Sequence, residues 1–244
     1  MRLIQKLSPA LILGFLLLAT ASNARAHDDV DAAFCERIVA RVDQIQQLDP
    51  LHDCMEFYYH NGRHENPPGS FNHTIRLGYR ILELDSSDED TTSTVVWLLY
   101  SKYATWRKNP EWMPDGATKL DEALALMHRG LANNPQSANL PLTLGHIFEG
   151  LVKFYHREKA PLLLMLYERA NLLAQDDRTR IRARLDLGHA HRKYGTCADA
   201  LHWYREVLRV DPANAVALRE IEKLACSHSG KADPHLAGEP NAQK

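Results

Sequence analysis

The fold is decided by the stretch "LGHAHRKYGTCADALHWYREVLRVDP", which runs from Leu187 to Pro212. Small residues stand at Gly188 and Ala200, and small side chains let two helices approach closely. Tyr204 is large enough to fill the space that remains between neighbouring units of such packing. The stretch therefore predicts a closely packed pair of helices.

The spacing within this stretch resembles that of a tetratricopeptide repeat (TPR), a helix-turn-helix unit of about 34 residues. The residues that carry the resemblance are Leu187, Gly188, His191, Gly195, Ala200, Tyr204, Val207 and Pro212. The resemblance implies an all-α fold, a right-handed TPR-like superhelix. It also implies that the first helix of each unit lines a concave groove that binds another polypeptide.

The same spacing recurs upstream in units of irregular length. Leu144, Gly145 and Phe148 repeat the leucine, glycine, aromatic pattern, and Tyr167 and Ala170 follow on the partner helix. The second unit carries an insertion, "RKNPEWMPDGAT" at 107–118, whose Trp112 either contributes to binding or anchors the loop. About four repeats are predicted, at 49–88, 91–137, 138–177 and 181–214.

The flanks of the array are predicted to be capping helices. Apolar residues recur at helical spacing within 30–47 and again within 213–226, and terminal repeats need a lid with a polar outer face. The resulting organisation is an N-terminal capping helix at 27–48 and a TPR-like domain with its C-terminal cap at 49–227. Residues 228–244 have no periodic apolar pattern and are predicted to be a disordered tail.

The first 26 residues have the layout of a secretory signal peptide. Arg2 and Lys6 give a basic start, an apolar run extends over 11–18, and "ARA" ends at Ala26. No later stretch approaches the roughly 18 apolar residues of a membrane span. We therefore expect a soluble mature chain without an integral membrane span, in a bacterial periplasm.

Charge argues against nucleic acid as the partner. Without the signal peptide the chain keeps 26 of its 29 basic residues against 31 acidic ones, which gives a net charge near −5 with histidine neutral. Proteins that bind nucleic acid usually present an excess of positive charge. A protein or peptide partner is expected instead.

The four cysteines are expected to pair, because an exported chain meets an oxidising compartment. Four cysteines allow three connectivities, and sequence order suggests Cys35 with Cys54. In a repeat array the C-terminal capping helix runs antiparallel to the helix before it. The end of the cap then lies near the start of that helix, which predicts a second bridge between Cys197 and Cys226.

Histidines raise the alternative of a metal site. His189 and His191 stand two residues apart, and such positions point about 200° apart around a helix, so a shared metal ion is disfavoured. His52, Glu56 and His60 are a stronger set, because steps of four residues place them on one helical face. Two histidines and a carboxylate are ligands for zinc or another divalent ion. The row nevertheless spans about 12 Å, too far for one ion to contact both ends easily.

The repeat register assigns the residues that would face the groove. The candidate partner-binding residues are Lys102, Trp106, Asn139, His146, Glu149, Arg182, His189, Arg192 and Lys193. Arg182, Arg192 and Lys193 make the C-terminal end basic, which suits a carboxylate or an acidic segment. The structural alternative is that these side chains are solvated charges without a partner.

The sequence contains no nucleophile elbow, phosphate-binding loop, dinucleotide fingerprint or zinc-protease motif. No catalytic residue and no cofactor is therefore assigned. The predicted function is a noncatalytic exported adaptor or scaffold. Two rivals stay open, a periplasmic metal-binding or metal-delivery protein that uses the His/Glu stripe, and an enzyme whose site has an unfamiliar sequence.

Overall fold

A computed structural model describes residues 30–227, with side chains as far as Leu224. The predicted signal peptide at 1–26 and the predicted tail at 228–244 lie outside the described residues. The described range contains ten α-helices and no strand. The helices are α1 Ala32–Ala40, α2 Leu48–His60, α3 Asn72–Leu84, α4 Glu89–Lys108, α5 Lys119–Asn133, α6 Asn139–Phe154, α7 Ala160–Leu173, α8 Asp177–Tyr194, α9 Cys197–Val210 and α10 Ala215–Ser227.

Eight of these helices form four packed pairs, α2 with α3, α4 with α5, α6 with α7 and α8 with α9. Helix α4 also contacts α6, so the first helices of neighbouring pairs meet directly. Helix α1 packs on α2 and α10 packs on α9, which places a helix at each end of the described array. The predicted all-α, TPR-like superhelix with four irregular pairs and two caps is confirmed.

Several helix starts are fixed by short polar side chains. The carboxylate of Asp88 accepts a hydrogen bond of 2.7 Å from the backbone N–H of Thr91 at the start of α4, and Asp176 accepts one of 2.8 Å from Thr179 in α8. Thr196 does the same for Asp199 in α9 at 3.0 Å. Such caps satisfy N–H groups that have no partner within the helix. Sequence signals of this local kind mark the starts of α4, α8 and α9.

The N-terminal cap is shorter than the predicted helical stretch. Helix α1 ends at Ala40, and a 3-10 turn at Val42–Gln44 precedes the start of α2 at Leu48. The carbonyl oxygen of Ile45 accepts bonds of 3.0 and 2.9 Å from the guanidinium of Arg80 on α3. The backbone leaves the α-helix at Arg41 and is extended at Ile45, so two breaks separate α1 from α2. Pro50 then stands in the first turn of α2, where its fixed φ suits a helix start.

The predicted bridge between Cys35 and Cys54 is confirmed. It joins α1 to α2 with 5.2 Å between the two Cα atoms, and both cysteines are fully buried. The bridge fastens the N-terminal capping helix to the first helix pair.

The second predicted bridge is wrong in this structure, because Cys197 is a half-buried free cysteine. The side chain of Cys226 lies outside the described residues. Antiparallel packing of α9 and α10 brings helix ends into the same region, but a disulfide also needs Cα atoms within about 7 Å and converging Cβ directions. The order of the helices alone does not determine whether the two cysteines meet these distance and direction requirements.

A buried carboxylate caps α3 from the loop before it. Glu65 is 3% exposed, and its two oxygens accept hydrogen bonds from the backbone N–H groups of His73 at 2.7 Å and Thr74 at 3.0 Å. The Thr74 hydroxyl donates a further bond of 2.6 Å. A negative charge at this position also complements the helix dipole. Glu65 therefore fixes the entry of the chain into α3.

Candidate binding site on the first helices

A polar pocket of about 280 Å³ lies between the first helices α6 and α8. Tyr167 lines the pocket from α7. The remaining lining residues are Glu149, Asp186, His189, Ala190, Arg192 and Lys193. Four of the candidate partner-binding residues, Glu149, His189, Arg192 and Lys193, therefore meet at one place.

Ion pairs join the helices around this pocket. The ammonium of Lys193 on α8 contacts the carboxylate of Glu149 on α6. His146 Nε2 lies 2.7 Å from Asp186 Oδ2, which is a second link between α6 and α8. Each basic or acidic group in these pairs thus has a partner on a neighbouring helix.

A third pair links the pocket to the C-terminal cap. The guanidinium of Arg192 lies 3.5 Å from the carboxylate of Glu220 on α10, whose side chain is 9% exposed. The lining contains two carboxylates, Glu149 and Asp186, and two permanent cations, Arg192 and Lys193. The formal charge of the pocket is therefore balanced when His189 is neutral.

His189 is neutral at ordinary pH because burial lowers the pKa of its imidazole below 6.5. The carboxylates of Asp186 and Glu220 act in the opposite direction, and the cations Arg192 and Lys193 lower the pKa further. Its Nδ1 lies 2.8 Å from the hydroxyl of Tyr204. That hydrogen bond holds the imidazole at the edge of the pocket.

Tyr167 is the most buried residue of the pocket, with 1% of its surface exposed. Its ring packs on Gly145 and lies 5.7 Å from the ring of His146. Its hydroxyl is buried and has no hydrogen-bond partner among the described residues. Burial, followed by the carboxylates of Asp186 and Glu149, raises the pKa of this phenol far above its ordinary value of 10.0. The hydroxyl therefore keeps its proton and is available both to donate and to accept.

The other candidate residues on α6 and α8 do not line the pocket. His146 is adjacent and acts through its bond to Asp186. Arg182 is exposed, one turn before Asp186, and it lowers the pKa of Tyr167. Asn139 is exposed at the first residue of α6, at the opposite end of that helix from Glu149.

Lys102 is not a groove side chain that a partner can reach, because only 2% of its surface is exposed. Its ammonium donates to Asn72 Oδ1 at 2.6 Å and lies 2.7 Å from Asp115 Oδ2. Asp115 belongs to the insertion at 107–118. The insertion thus folds back over Lys102 and supplies its counter-ion, so the predicted partner-binding role of Lys102 is not supported by its position.

Trp106 is only partly buried, and the insertion covers part of its side chain. Its side chain packs against Gly116 of the insertion, and its ring lies 5.9 Å from that of Tyr103. Trp112, in contrast, is 69% exposed and lines a separate cavity of about 340 Å³ beside the loop that contains Pro67 and Pro68. Gly116 and Asp115 of the insertion therefore contact Trp106 and Lys102 of α4, while Trp112 stays accessible.

The predicted metal stripe does not assemble into a site. No group of three His, Cys, Asp or Glu side chains within the described residues is placed to hold a metal ion. Nε2 of His52 instead lies 3.3 Å from Oδ2 of Asp88, the N-cap of α4. The ring centroids of His60 and Tyr59 are 5.1 Å apart. The three side chains share one face of α2, but the rise of the helix separates His52 from His60 by about 12 Å along its axis.

Sequence reasoning missed Asp186 and gave Tyr167 only a packing role. A signal for Asp186 was present, because Arg182, Asp186, His189 and Lys193 follow one another at steps of three or four residues along α8. Such spacing marks one face of a helix. For Tyr167 the sequence carried no sign that its hydroxyl lacks a partner, since this depends on side chains from three helices.

Comparisons with known proteins add a structural relative at low sequence identity. No protein-family model matches the chain, and no curated protein matches it. Among solved structures, TTC0263, a thermophilic TPR protein of Thermus thermophilus, aligns with a TM-score of 0.48 and 17% identity. The alignment covers 89% of this chain and 98% of the Thermus chain. The TPR-like character of the present chain rests on its own helix pairs and on the glycine and tyrosine contacts within them.

Proposed function

We propose that this protein is a noncatalytic, exported adaptor that binds an extended or helical segment of another protein along its first helices. The observation that carries the proposal is the pocket between α6 and α8, where Glu149, His189, Arg192 and Lys193 converge. A TPR-like fold suits protein interaction generally, because stacked first helices form a long binding surface. A pocket on that surface gives a segment of the partner a defined anchor.

Export to an oxidising compartment, the bacterial periplasm, is part of the proposal. The bridge between Cys35 and Cys54 supports it, since structural disulfides persist in oxidising compartments and are rare in a reducing cytosol. The basic and apolar pattern of residues 1–26 is the second support. Fractionation of cells that express the full chain, with mass measurement of its N-terminus, tests both points.

A binding role is further supported by the pairing of the charged side chains around the pocket. Lys193 pairs with Glu149, Arg192 pairs with Glu220, and Asp186 pairs with His146. These groups brace three helices against one another. A braced, half-open polar pocket fits recognition of a polypeptide better than proton transfer or nucleophilic attack.

The proposal is tested by affinity capture from a periplasmic extract with quantitative mass spectrometry. The wild-type chain is compared with a variant that carries Arg192→Gln and Lys193→Gln, which removes two positive charges from the pocket. We expect partners recovered with wild type to be depleted at least fivefold with this variant.

A matched control places the same two changes on the second helix of the same repeat. Arg205→Gln and Arg209→Gln remove two exposed charges from α9 and should leave recovery unchanged. Equal recovery with all three proteins would refute the groove as the binding surface. Equal loss with both variants would show that net charge, rather than the pocket, governs capture.

A further inference from the structure

The pocket between α6 and α8 contains one feature that the interhelical ion pairs do not explain. Tyr167 is one of the lining residues, and its hydroxyl is buried and has no hydrogen-bond partner among the described residues. Leaving such a group unpaired is unfavourable, and most buried hydroxyls in proteins do have a partner. A ligand atom that reaches this hydroxyl would therefore gain a hydrogen bond that no described side chain offers.

The charges of the pocket limit what this ligand is. A carboxylate would have to attract Lys193 or Arg192 away from Glu149 or Glu220, and an ammonium would have to compete with Lys193 for Glu149. Either ion also has to give up its hydration to enter a half-buried space. A neutral group that both donates and accepts avoids these costs, because the existing ion pairs stay intact.

We propose that this pocket receives a primary carboxamide, the side chain of a glutamine or asparagine in the bound polypeptide. The proposal deepens the proposed function and rests on it for the polypeptide nature of the ligand. A carboxamide carries one carbonyl acceptor and two N–H donors. Its oxygen can accept from the Tyr167 hydroxyl, and its N–H groups can donate to the free lone pairs of Glu149 and Asp186. Ala190 supplies a small apolar wall for the aliphatic part of the side chain.

The test uses three blocked amino acids as probes, the N-acetyl methylamides of glutamine, glutamate and lysine. They share the same backbone amides and differ only in the side chain. Titrations of the mature chain are followed by NMR at the backbone amides of Ala190 and Arg192. We expect saturable shifts with the glutamine probe and a Kd at least fivefold lower than with the charged probes. A charged probe that binds equally well, or a glutamine probe that leaves Ala190 unshifted, overturns the inference.

Tyr167→Phe isolates the hydroxyl, since the ring that packs on Gly145 is kept. Loss of one hydrogen bond is expected to weaken binding of the glutamine probe about threefold to tenfold. The matched control is Tyr79→Phe on α3, remote from this pocket, which removes a hydroxyl bonded to Glu122 and should leave the Kd of the probe unchanged. An unchanged Kd in Tyr167→Phe overturns the inference.

Thermal melting of the free proteins supplies a second readout. Tyr167→Phe should not lower Tm, because its hydroxyl has no described bond to lose, whereas Tyr204→Phe loses the bond to His189 and should melt lower. Equal loss in both variants would mean that Tyr167 already has a partner in the free protein, which contradicts the inference. Failure of the adaptor function has a different signature. In that case the glutamine probe still binds, but the proteins captured from the extract are the same with and without the changes at Arg192 and Lys193.

Discussion

The ring of Tyr204 on α9 lies against the backbone of Gly188 on α8, at the position where any side chain on Gly188 would stand. A Cβ atom added to Gly188 would lie 2.5 Å from Cε1 and 2.8 Å from Cδ1 of that ring. Gly145 and Tyr167 repeat the contact one helix pair earlier. This glycine and tyrosine pairing sets the distance between the two helices of a repeat.

Gly188→Ala is therefore expected to destabilise the protein. Overpacking typically costs about 1 to 3 kcal/mol, and better helix propensity returns about 1 kcal/mol, so we expect a net loss of about 1 kcal/mol. Urea unfolding followed by circular dichroism measures it. The control is Gly62→Ala, whose Cβ would meet only Gly69 Cα at 3.9 Å and should change stability by less than about 0.5 kcal/mol. A stabilised Gly188→Ala would refute the contact.

Removal of the bridge between Cys35 and Cys54 is the second prediction. The two cysteines are separated by 19 residues, and closing a loop of that size stabilises a protein by about 3 kcal/mol in the chain-entropy model. The double variant Cys35→Ala and Cys54→Ala should lose about that much free energy of unfolding. Dithiothreitol should lower the stability of wild type and leave this variant unchanged. Cys197→Ala, which removes a free thiol, serves as the control and should keep the response to reductant.

Glu65→Gln tests the buried cap of α3. An amide offers one acceptor oxygen, whereas the carboxylate accepts from His73 N, Thr74 N and Thr74 Oγ1. At least one backbone N–H should lose its acceptor, at a cost of about 1 to 3 kcal/mol in the free energy of unfolding. Glu168→Gln makes the same change at an exposed position of α7 and should have little effect. Equal stabilities of the two variants would argue against a capping role for Glu65.

Lys102→Met tests whether the insertion is held down by its ion pair. Methionine keeps much of the buried volume but cannot contact Asn72 or Asp115. Because Asp115 is about half-exposed, we expect a loss near 1 kcal/mol, which corresponds to a roughly fivefold larger open population. Chymotrypsin cleavage after the exposed Trp112 should accelerate by about that factor. Lys108→Met, an exposed change at the end of α4, should cleave at the wild-type rate. An unaltered rate in Lys102→Met would show that Trp106 alone anchors the loop.

Helix pairs could be predicted because their signals are local and repeated. Gly188 and Tyr204 stand in a fixed register within one stretch, and the same size complementarity returns at Gly145 and Tyr167. Four residues of the candidate site followed from that register alone. The helical period and the sizes of the side chains are enough to predict the helix pairs and these four residues, because both predictions use only neighbouring parts of the sequence.

The burial of Lys102 could not be predicted in this way. Its counter-ion Asp115 lies in an irregular insertion. The helical spacing of apolar residues does not predict which part of the protein such a loop contacts. Asp186 similarly contacts His146, which lies 40 residues away in the sequence. Whether Cys197 is free depends on how α9 is aligned with α10. Contacts of this kind arise from the packing of several elements, which a single sequence does not report.

His189 gives the final prediction, a pH dependence of stability. Burial lowers the pKa of its imidazole in the folded protein, whereas in the unfolded chain it titrates near 6.5. As the pH falls through 6.5 the unfolded chain binds the proton first, so the free energy of unfolding must decrease. Below the folded pKa the decrease from this group is complete.

Urea unfolding of wild type and His189→Gln at pH 7.5, 6.5 and 5.5 measures this dependence. We expect a steeper loss of stability toward acid in wild type than in the variant, since glutamine cannot take up the proton. His202→Gln changes an exposed histidine on α9 and should keep the wild-type slope. If the free energy of unfolding falls equally steeply toward acid in wild type and His189→Gln, folding does not oppose protonation of His189. The imidazole would then be more accessible to water than its place beside Tyr204 implies.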